Sequence, residues 1–348
     1  MKLHRGWRLL LLLPIVAVVA ALIIWHGPDW HRMRDAFAAM NWEWVVAAIG
    51  LNLLSVITRS MSWDTTIKQS IDPPYPKFSI VFSAFSVGLF ANVVLPGRVG
   101  ELARAAVLRR HLPPRKGTTA TLIGSVFAHR MFDLLPAGLL VVWVLLSAKI
   151  PGWALASIAI VMGVGAVLFL VAIWLARRQH RELEGLGGIR QLIVRGRQGL
   201  AVMRRPVPAL KAASFQTAGW ICQLLAVWST MFAFDIHVPI AAAGLVLVLI
   251  NVATIVTLWP GNFGFVQAAI ALPLVNYGVQ YAKGFAFGIG LQAIEASVGV
   301  GVGLVFLARE GLSYAMLKEF EEDQPEASGE NVLEFEEDTE PARTRVTG

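Results

Sequence analysis

A short segment of the sequence combines arginines and a glutamate at helical spacing. Arg98, Glu101 and Arg104 recur every three residues, which places them on one face of a helix. A carboxylate between two guanidiniums can orient both, and a guanidinium matches the geometry of phosphate oxygens. A helix that begins near Arg98 would also direct free N–H groups and a positive dipole end toward an anion. The pattern predicts a site for a lipid phosphate; the alternative is a basic surface helix that sets topology and touches anionic lipid.

The same segment interrupts an apolar run. A proline lacks an N–H and clashes with the preceding helical turn, while a glycine allows the chain to reverse. The pattern Pro-Gly-x-x-Gly occurs twice, at Pro96, Gly97 and Gly100 and again at Pro260, Gly261 and Gly264. Paired interruptions of this kind indicate a transporter site built from discontinuous helices. The freed backbone groups must face protein or a water-filled cavity, because lipid cannot satisfy them.

Other ionisable residues lie inside apolar segments, where each costs about 2.5–3.5 kcal/mol on insertion scales and is a functional candidate by default. Arg130 and Asp133 are spaced i, i+3 and can pair, either beside a substrate cavity or as a structural ion pair between helices. Glu295 lies centrally in its segment and needs a partner or a proton, whereas Arg59 lies near a segment end and can snorkel. Uncharged polar side chains near the two interruptions complete the candidate set: Asn92, Asn262 and Gln267.

Composition identifies the elements that must position these groups. The 348 residues are 56% hydrophobic and 15% charged, with a mean hydropathy of +0.62, which excludes an ordinary soluble domain. Crossing a bilayer takes about 20 apolar residues, and apolar segments lie at 7–25, 42–63, 78–95, 118–146, 153–176, 212–234, 239–258 and 282–308. We therefore predict an all-α polytopic membrane protein.

The distribution of charge predicts the topology. Residues 97–117 contain six Lys or Arg and residues 177–211 contain nine, and the N-terminus is also basic; the positive-inside rule places all three in the cytoplasm. Full crossing by every apolar segment would put the two most basic loops outside. A re-entrant hairpin at the first broken helix, 78–110, removes the conflict, and the second, 239–275, would enter from the opposite face. The prediction is six full spans plus two hairpins in an inverted repeat, with both termini cytoplasmic.

The chain divides into two regions of opposite charge. Residues 1–308 form the predicted membrane domain, with a cytoplasmic basic loop at 177–211. Residues 309–348 contain 12 acidic and 4 basic residues, a composition that predicts a disordered cytoplasmic tail. The single cysteine, Cys222, excludes disulfides within the chain, and the seven histidines lack metal-ligand spacing. Because no residues show catalytic spacing either, we expect no enzyme activity, no cofactor, no metal and no nucleic-acid partner.

Three of these motifs together resemble a known family. The segment LPGRVGELARAAVLRR, then HRMFD inside an apolar segment, and later PGNFG look like the lysylphosphatidylglycerol synthetase transmembrane-region family, and the resemblance extends over the chain up to the acidic tail. That family's usual pattern has Glu at the position of His129 and an acidic residue at the position of Gln267. These two departures argue against a mechanism that needs carboxylates at either position.

The resemblance implies a protein that handles lipids, similar to the flippase half of multi-domain aminoacyl-phosphatidylglycerol synthases. The aminoacyl transfer of those proteins belongs to a separate soluble domain, so we expect no lysyl transfer here. We predict a flippase-like transporter that moves a phospholipid or a polyprenyl-phosphate lipid across a bacterial-type inner membrane. The alternative is a non-transporting membrane partner that binds lipid for a separate glycosyl- or acyltransferase. A membrane enzyme that acts on a lipid phosphate is the third reading.

Overall fold

A computed structural model of the chain describes residues 29–94, 99–113, 118–152, 205–254 and 262–310, with a few isolated positions between 155 and 202. These residues form ten α-helices: α1 Trp30–Ala38, α2 Trp42–Ser70, α3 Phe78–Val94, α4 Gly100–Arg110, α5 Thr118–Met131, α6 Leu134–Ser147, α7 Pro206–Ala233, α8 Ile240–Ala253, α9 Phe265–Leu274 and α10 Tyr281–Arg309. The predicted span at 7–25 lies outside the described residues, as do most of the predicted span at 153–176, most of the basic loop 177–211 and the acidic tail after Glu310.

Three stretches are long and apolar enough to cross a bilayer: α2, α5 with α6 taken together, and α10. Shorter apolar helices are α3, α8 and the segment from α9 to Tyr277. This composition confirms an all-helical membrane protein over the described part of the chain. The number of spans and the inverted repeat stay predictions.

Helices α2 and α7 pack closely along their lengths, and small residues make the approach possible. The hydroxyl of Ser55 donates to the carbonyl of Gly219 at 2.8 Å, and the hydroxyl of Ser62 donates to that of Ala212 at 2.9 Å. A Cβ at Gly219 would lie 2.7 Å from Cγ of Arg59. Gly219 therefore leaves the space in which the stem of Arg59 lies against α7.

Helices α3 and α4 form a hairpin. Glu310, after the end of α10, accepts a hydrogen bond from the Ser83 hydroxyl at 2.6 Å and lies 3.2 Å from Nε2 of His111. The start of α3 and the end of α4 are therefore at the same end of the molecule. The two helices touch through glycines, since a Cβ at Gly100 would lie 1.9 Å from the carbonyl oxygen of Gly88. Pro96, Gly97 and Arg98 lie outside the described residues.

Helices α8 and α9 flank the second interruption, and they pack on each other and on neighbouring long helices. Two residues before α9 have the left-handed backbone that favours glycine, Asn262 at φ 44° and Gly264 at φ 89°. Helix α9 lies against glycines of α10, where a Cβ at Gly288 would be 3.2 Å from Cα of Gln267. Pro260 and Gly261 lie outside the described residues.

The apolar segment 118–146 contains a break that the sequence analysis did not predict. Helix α5 ends at Met131 and α6 begins at Leu134, with Asp133 at the start of the second helix. Pro136 supplies the physical reason, because its ring clashes with the carbonyl four residues earlier, on Phe132, and it has no N–H to donate. The break lies in the middle of the 30-residue stretch and frees Asp133 for contacts outside its own helix.

Three apolar clusters form the core of the described part of the chain, and α10 contributes residues to two of them. One cluster includes α10 residues up to Ile294, and the other includes α10 residues from Val298 onward. Glu295 lies between these two sets. A polar layer at this level therefore separates two hydrophobic clusters, and the candidate site occupies that layer.

Candidate functional site

Arg130 is the centre of a charged network. One of its terminal nitrogens, Nη2, contacts Oε1 of Glu101 on α4, and the other, Nη1, donates to Oδ2 of Asp133 at 3.3 Å. The side chain of Arg130 is 41% exposed, whereas those of Glu101 and Asp133 are 25% and 16% exposed. The fork of Arg130 therefore connects the first hairpin to the break between α5 and α6.

Asp133 also binds two side chains of α7. Its Oδ1 accepts a hydrogen bond from Trp220 Nε1 at 2.8 Å and another from the amide of Gln216. A carboxylate that accepts bonds on both oxygens is held in one orientation. Asp133 thereby fixes α7 to the first hairpin through Arg130.

A second chain of contacts runs from α2 to α10. Arg59 donates from Nη2 to Oε1 of Gln223 at 2.6 Å, and its guanidinium lies 5.4 Å from the ring centre of Trp220. The amide of Gln223 also lies beside the carboxylate of Glu295. Arg59 is thus anchored inside the helix bundle, and the expectation that it could snorkel to an interface is replaced by a structural role between α2, α7 and α10.

Arg104 is the most buried cation of the site. It is 4% exposed, and its guanidinium lies 4.9 Å from the ring centre of Trp63 and 5.4 Å from that of Phe85. Glu101 lies at 3.9 Å from Nη2, too far for a hydrogen bond. The Nε and Nη2 atoms have no hydrogen-bond partner among the described residues. Aromatic rings therefore hold the cation while two of its donor atoms stay available.

His129 lies between the two arginines that carry free donors. Its Nε2 is 3.2 Å from the carbonyl oxygen of Arg59, which requires the proton on Nε2, and its ring meets Phe85 edge to face at 5.9 Å. Nδ1 of His129 and Nε of Arg59 are buried without a partner in the described part of the chain. Unpaired polar atoms are rare in protein interiors, and four of the seven such side-chain atoms among the described residues belong to Arg59, Arg104 and His129.

The start of α4 differs from the sequence prediction. The helix begins at Gly100, whose N–H is bound by Oδ1 of Asn92 at 2.9 Å. The N–H groups of Leu102 and Ala103 donate to the carbonyl of Val99 at 3.0 and 2.9 Å. These backbone donors are therefore engaged, and the free N–H groups that were expected at this helix start are largely absent among the described residues. Asn92 caps the hairpin through this bond, and its role in binding lipid stays a prediction.

The second interruption is held by uncharged side chains. Oε1 of Gln267 accepts the N–H of Gly264 at 2.6 Å, and its amide nitrogen contacts Oε1 of Gln292 on α10. Asn262 donates to the carbonyl of Ala253 at 3.1 Å. Because Gln292 and Glu295 are one turn apart on α10, this helix borders both the amide contacts and the charged network.

The structure thus brings together most of the predicted polar residues. The network contains three guanidiniums and three carboxylates: Arg59, Arg104, Arg130, Glu101, Asp133 and Glu295. Equal numbers of opposite charges reduce the cost of placing ions in an apolar surrounding. Asn262 and Gln267 lie at the second interruption, outside this set of charges.

Sequence reasoning missed five residues of the site. Gln216, Trp220 and Gln223 recur at i, i+4 and i+7 on α7, and two glutamines one heptad apart in an apolar segment were a usable signal. Trp63 and Phe85 gave no signal, because an aromatic residue beside a cation looks the same in sequence as an aromatic residue in a core.

Comparison with known proteins agrees with this architecture. Residues 10–303 match the family model of the lysylphosphatidylglycerol synthase TM region. A UPF0104 membrane protein of Methanothermobacter thermautotrophicus is 22% identical over 285 residues, which cover 76% of this chain and 82% of that relative. No solved structure matches the chain. The chain belongs to the lysylphosphatidylglycerol synthase TM-region family and is a multi-pass helical membrane protein.

Proposed function

We propose that the protein is a flippase-like transporter that moves a phospholipid or a polyprenyl-phosphate lipid between membrane leaflets and has no enzymatic activity of its own. The observation that carries this proposal is Arg104, a 4% exposed guanidinium with two donor atoms that no described residue binds. Inside an apolar bundle such donors are costly unless a ligand satisfies them for part of the working cycle. The phosphate of a lipid headgroup supplies both the charge and the acceptor oxygens.

The neighbouring groups suit this ligand. Arg59 and His129 have further unpartnered nitrogens, and the rings of Trp63 and Phe85 keep the guanidinium of Arg104 in place. Arg98 would add a fourth guanidinium from the same helix face, as the sequence spacing predicts. We assign phosphate binding to Arg104 and Arg98. The rings of Trp63 and Phe85 orient Arg104, and the bridges of Arg130 to Glu101 and Asp133 rearrange during the cycle.

The arrangement of helix ends supports the proposed topology. Arg205 before α7 donates to Gln69 at the end of α2 at 3.0 Å, which places both near the end defined by Glu310. The opposite end contains Asp235, whose carboxylate binds Lys283 at 3.1 Å. The first end has more basic residues, namely Lys68, Lys77, Arg109, Arg110, Arg205, Lys211 and Arg309. By the positive-inside rule we propose that it faces the cytoplasm of a bacterial-type inner membrane, with both termini.

The inverted repeat is part of the same proposal. Helices α2 and α7 pack as a pair, and each is followed in sequence by a pair of short helices, α3–α4 and α8–α9. The pair α3–α4 reaches α10 from the end that contains Glu310, and the pair α8–α9 reaches it from the end that contains Lys283. Alternating access would then move one repeat against the other around the charged layer.

Leaflet exchange in reconstituted vesicles tests the function. The purified protein is placed in liposomes with fluorescent phosphatidylglycerol or phosphatidylcholine, and a membrane-impermeant reductant reports the fraction of label in the outer leaflet. We expect exchange well above that of empty vesicles, loss of exchange in Arg104→Gln, and normal exchange in Arg110→Gln, which alters an exposed arginine of the same helix.

Two results would overturn the proposal. Exchange equal to that of empty vesicles for several anionic headgroups would contradict transport and favour a lipid-binding partner of another enzyme. Equal activity in Arg104→Gln and Arg110→Gln would remove Arg104 from the site. Topology is tested separately in a Cys222→Ser background, where Arg110→Cys should react with a reagent added from the cytoplasmic side and His237→Cys with a reagent added from the other side.

A further inference from the structure

An apolar groove lies between α6 and α7, outside the charged network. It has a volume of about 220 Å³ and is lined chiefly by Pro136, Leu140 and Trp143 of α6 and by Thr217, Trp220 and Leu224 of α7. The residues of each helix are spaced i, i+3 or i+4 and i+7, so they form two facing stripes. Leu139 and Ile221 also line it and are 59% and 53% exposed, so the groove opens to the surface of the bundle.

The groove and the charged network share a residue. The ring of Trp220 lines the groove, while its N–H donates to Asp133 and the same ring lies under the guanidinium of Arg59. Thr217 follows directly after Gln216, which also donates to Asp133. The break at Pro136 brings the groove to this position, because Pro136 lines one of its walls and Asp133 lies three residues before it. The apolar groove therefore adjoins the charged network at Trp220, which contacts Arg59 and the carboxylate of Asp133 that Arg130 binds.

Charge and exposure indicate what occupies the groove. Its walls offer a long molecule only apolar contacts besides Thr217, and in a membrane the available apolar ligand is a lipid acyl chain. At the inner end lie Arg59, with an unpartnered Nε among the described residues, and Arg130, whose side chain is 41% exposed. We propose that the groove binds one acyl chain of an anionic phospholipid whose phosphate lies toward Arg59 and Arg130. The groove is then the lateral route by which lipid reaches the site.

This inference rests on the proposed function only for the onward movement of the lipid, since the binding itself can be measured without transport. In a Cys222→Ser background, Thr217→Cys places a fluorescent label in the groove. Leu146→Cys places the same label on α6 at a position that is 83% exposed and lies outside the groove. Both proteins are reconstituted with phosphatidylglycerol or phosphatidylcholine that carries a nitroxide on one acyl chain.

We expect quenching at position 217 to be at least twofold stronger with the anionic lipid than with the zwitterionic lipid at equal mole fraction. At position 146 the two lipids should quench equally, because every lipid touches that surface. Adding Arg130→Gln to the Thr217→Cys protein should bring the ratio at position 217 close to one. Leu224→Trp, which fills the groove, should lower quenching at position 217 by both lipids, whereas Leu210→Trp on an exposed part of the same helix should not.

The groove assignment would be wrong if the ratio of quenching by anionic lipid to quenching by zwitterionic lipid were the same at positions 217 and 146. It would also be wrong if position 217 showed no quenching and the protein formed a dimer in which a second copy covers the groove. Lipid binding in the groove and transport can each fail without the other, as the following two results show. Selective quenching at position 217 without leaflet exchange would retain the lipid site and reject the transporter. Leaflet exchange without selectivity at position 217 would retain the transporter and reject this route.

Discussion

The two interrupted helices have the same kind of glycine cap and differ in the charge of the residues that follow it. In both, the N–H of the last glycine of the Pro-Gly-x-x-Gly pattern is bound by a side-chain amide oxygen, Gly100 by Asn92 and Gly264 by Gln267. In the first, the following helix carries Glu101 and Arg104 toward a buried layer of charges. In the second, the aligned positions are Phe265 and Ala268, and amides connect the break to α10.

The backbone break and the charge are therefore separable features of these helices. The capped glycine makes a hairpin possible, and it does so in both copies with neutral atoms. The charges of the first copy require additional partners from α2, α5 and α7, because a guanidinium or a carboxylate in an apolar interior needs compensation. The second copy packs directly against glycines of α10 and needs no such partners. Variants that act on one copy and spare the other can test this separation.

The largest effect is expected for Arg130→Met. Glu101 and Asp133 would lose their shared cation, and loss of one partner of a buried ion pair costs about 3–5 kcal/mol. Arg130 is 41% exposed, so we expect a value near the lower end of that range. Thermal unfolding in detergent measures it, with Arg110→Met as the exposed control. Equal melting temperatures of the two variants would show that the network does not hold the first hairpin in place.

Substitution of the capped glycines should affect the two copies unequally. In Gly100→Ala the new Cβ would lie 1.9 Å from the carbonyl oxygen of Gly88, and forced overpacking costs about 1–3 kcal/mol. In Gly264→Ala no atom lies within 4 Å, but φ is 89°, and a left-handed backbone costs an L-residue about 1–2 kcal/mol. We expect the larger loss at Gly100, measured as the denaturant midpoint. A larger loss at Gly264 would contradict close contact between α3 and α4.

Removal of the capping amides should give smaller and more similar effects. Asn92→Leu and Gln267→Leu each leave one backbone N–H without its acceptor, and a lost cap costs about 1 kcal/mol. Gln267→Leu should cost somewhat more, because Gln267 is fully buried and also contacts Gln292. Hydrogen exchange at Gly100 and Gly264 measures each cap directly. Unchanged protection of Gly100 in Asn92→Leu would show that another group can replace the cap.

The smallest effect is expected at the end of the bundle opposite Glu310. Lys283 donates to the carboxylate of Asp235 at 3.1 Å, and this bond, together with the charge of Lys283, lowers the pKa of Asp235. A lowered pKa stabilises the fold above the pKa of the unfolded state, near 4, and this contribution is lost as the pH falls through the folded value. Asp235→Asn should therefore change the melting temperature slightly at neutral pH and not at all in strong acid. A constant difference at every pH would exclude this ion pair as the cause.

Sequence reasoning predicted the residues of the network better than their contacts. Arg130, Asp133 and Glu295 stand out because ions are costly in apolar segments, and Glu101 and Arg104 stand out by their helical spacing. The structure places all five in one layer. Their partners were harder to predict. The break before Pro136 was readable from the proline alone, yet the segment was interpreted as one continuous span. The pairing of Arg130 with Glu101 required knowledge of which helices are neighbours.

The sequence alone was sufficient to predict a helical membrane protein, two of the places where its helices are interrupted, and the polar groups that an apolar segment would not contain without a function. These properties follow from local composition and spacing, because bilayer crossing and helix breaking depend on neighbouring residues along the chain. Three features became visible only in the folded structure. Asn92 caps Gly100 and leaves few free N–H groups there, Trp63 and Phe85 enclose Arg104, and Trp220 connects an apolar groove to the charges. Those contacts join helices far apart in the sequence, and packing alone determines which side chains meet.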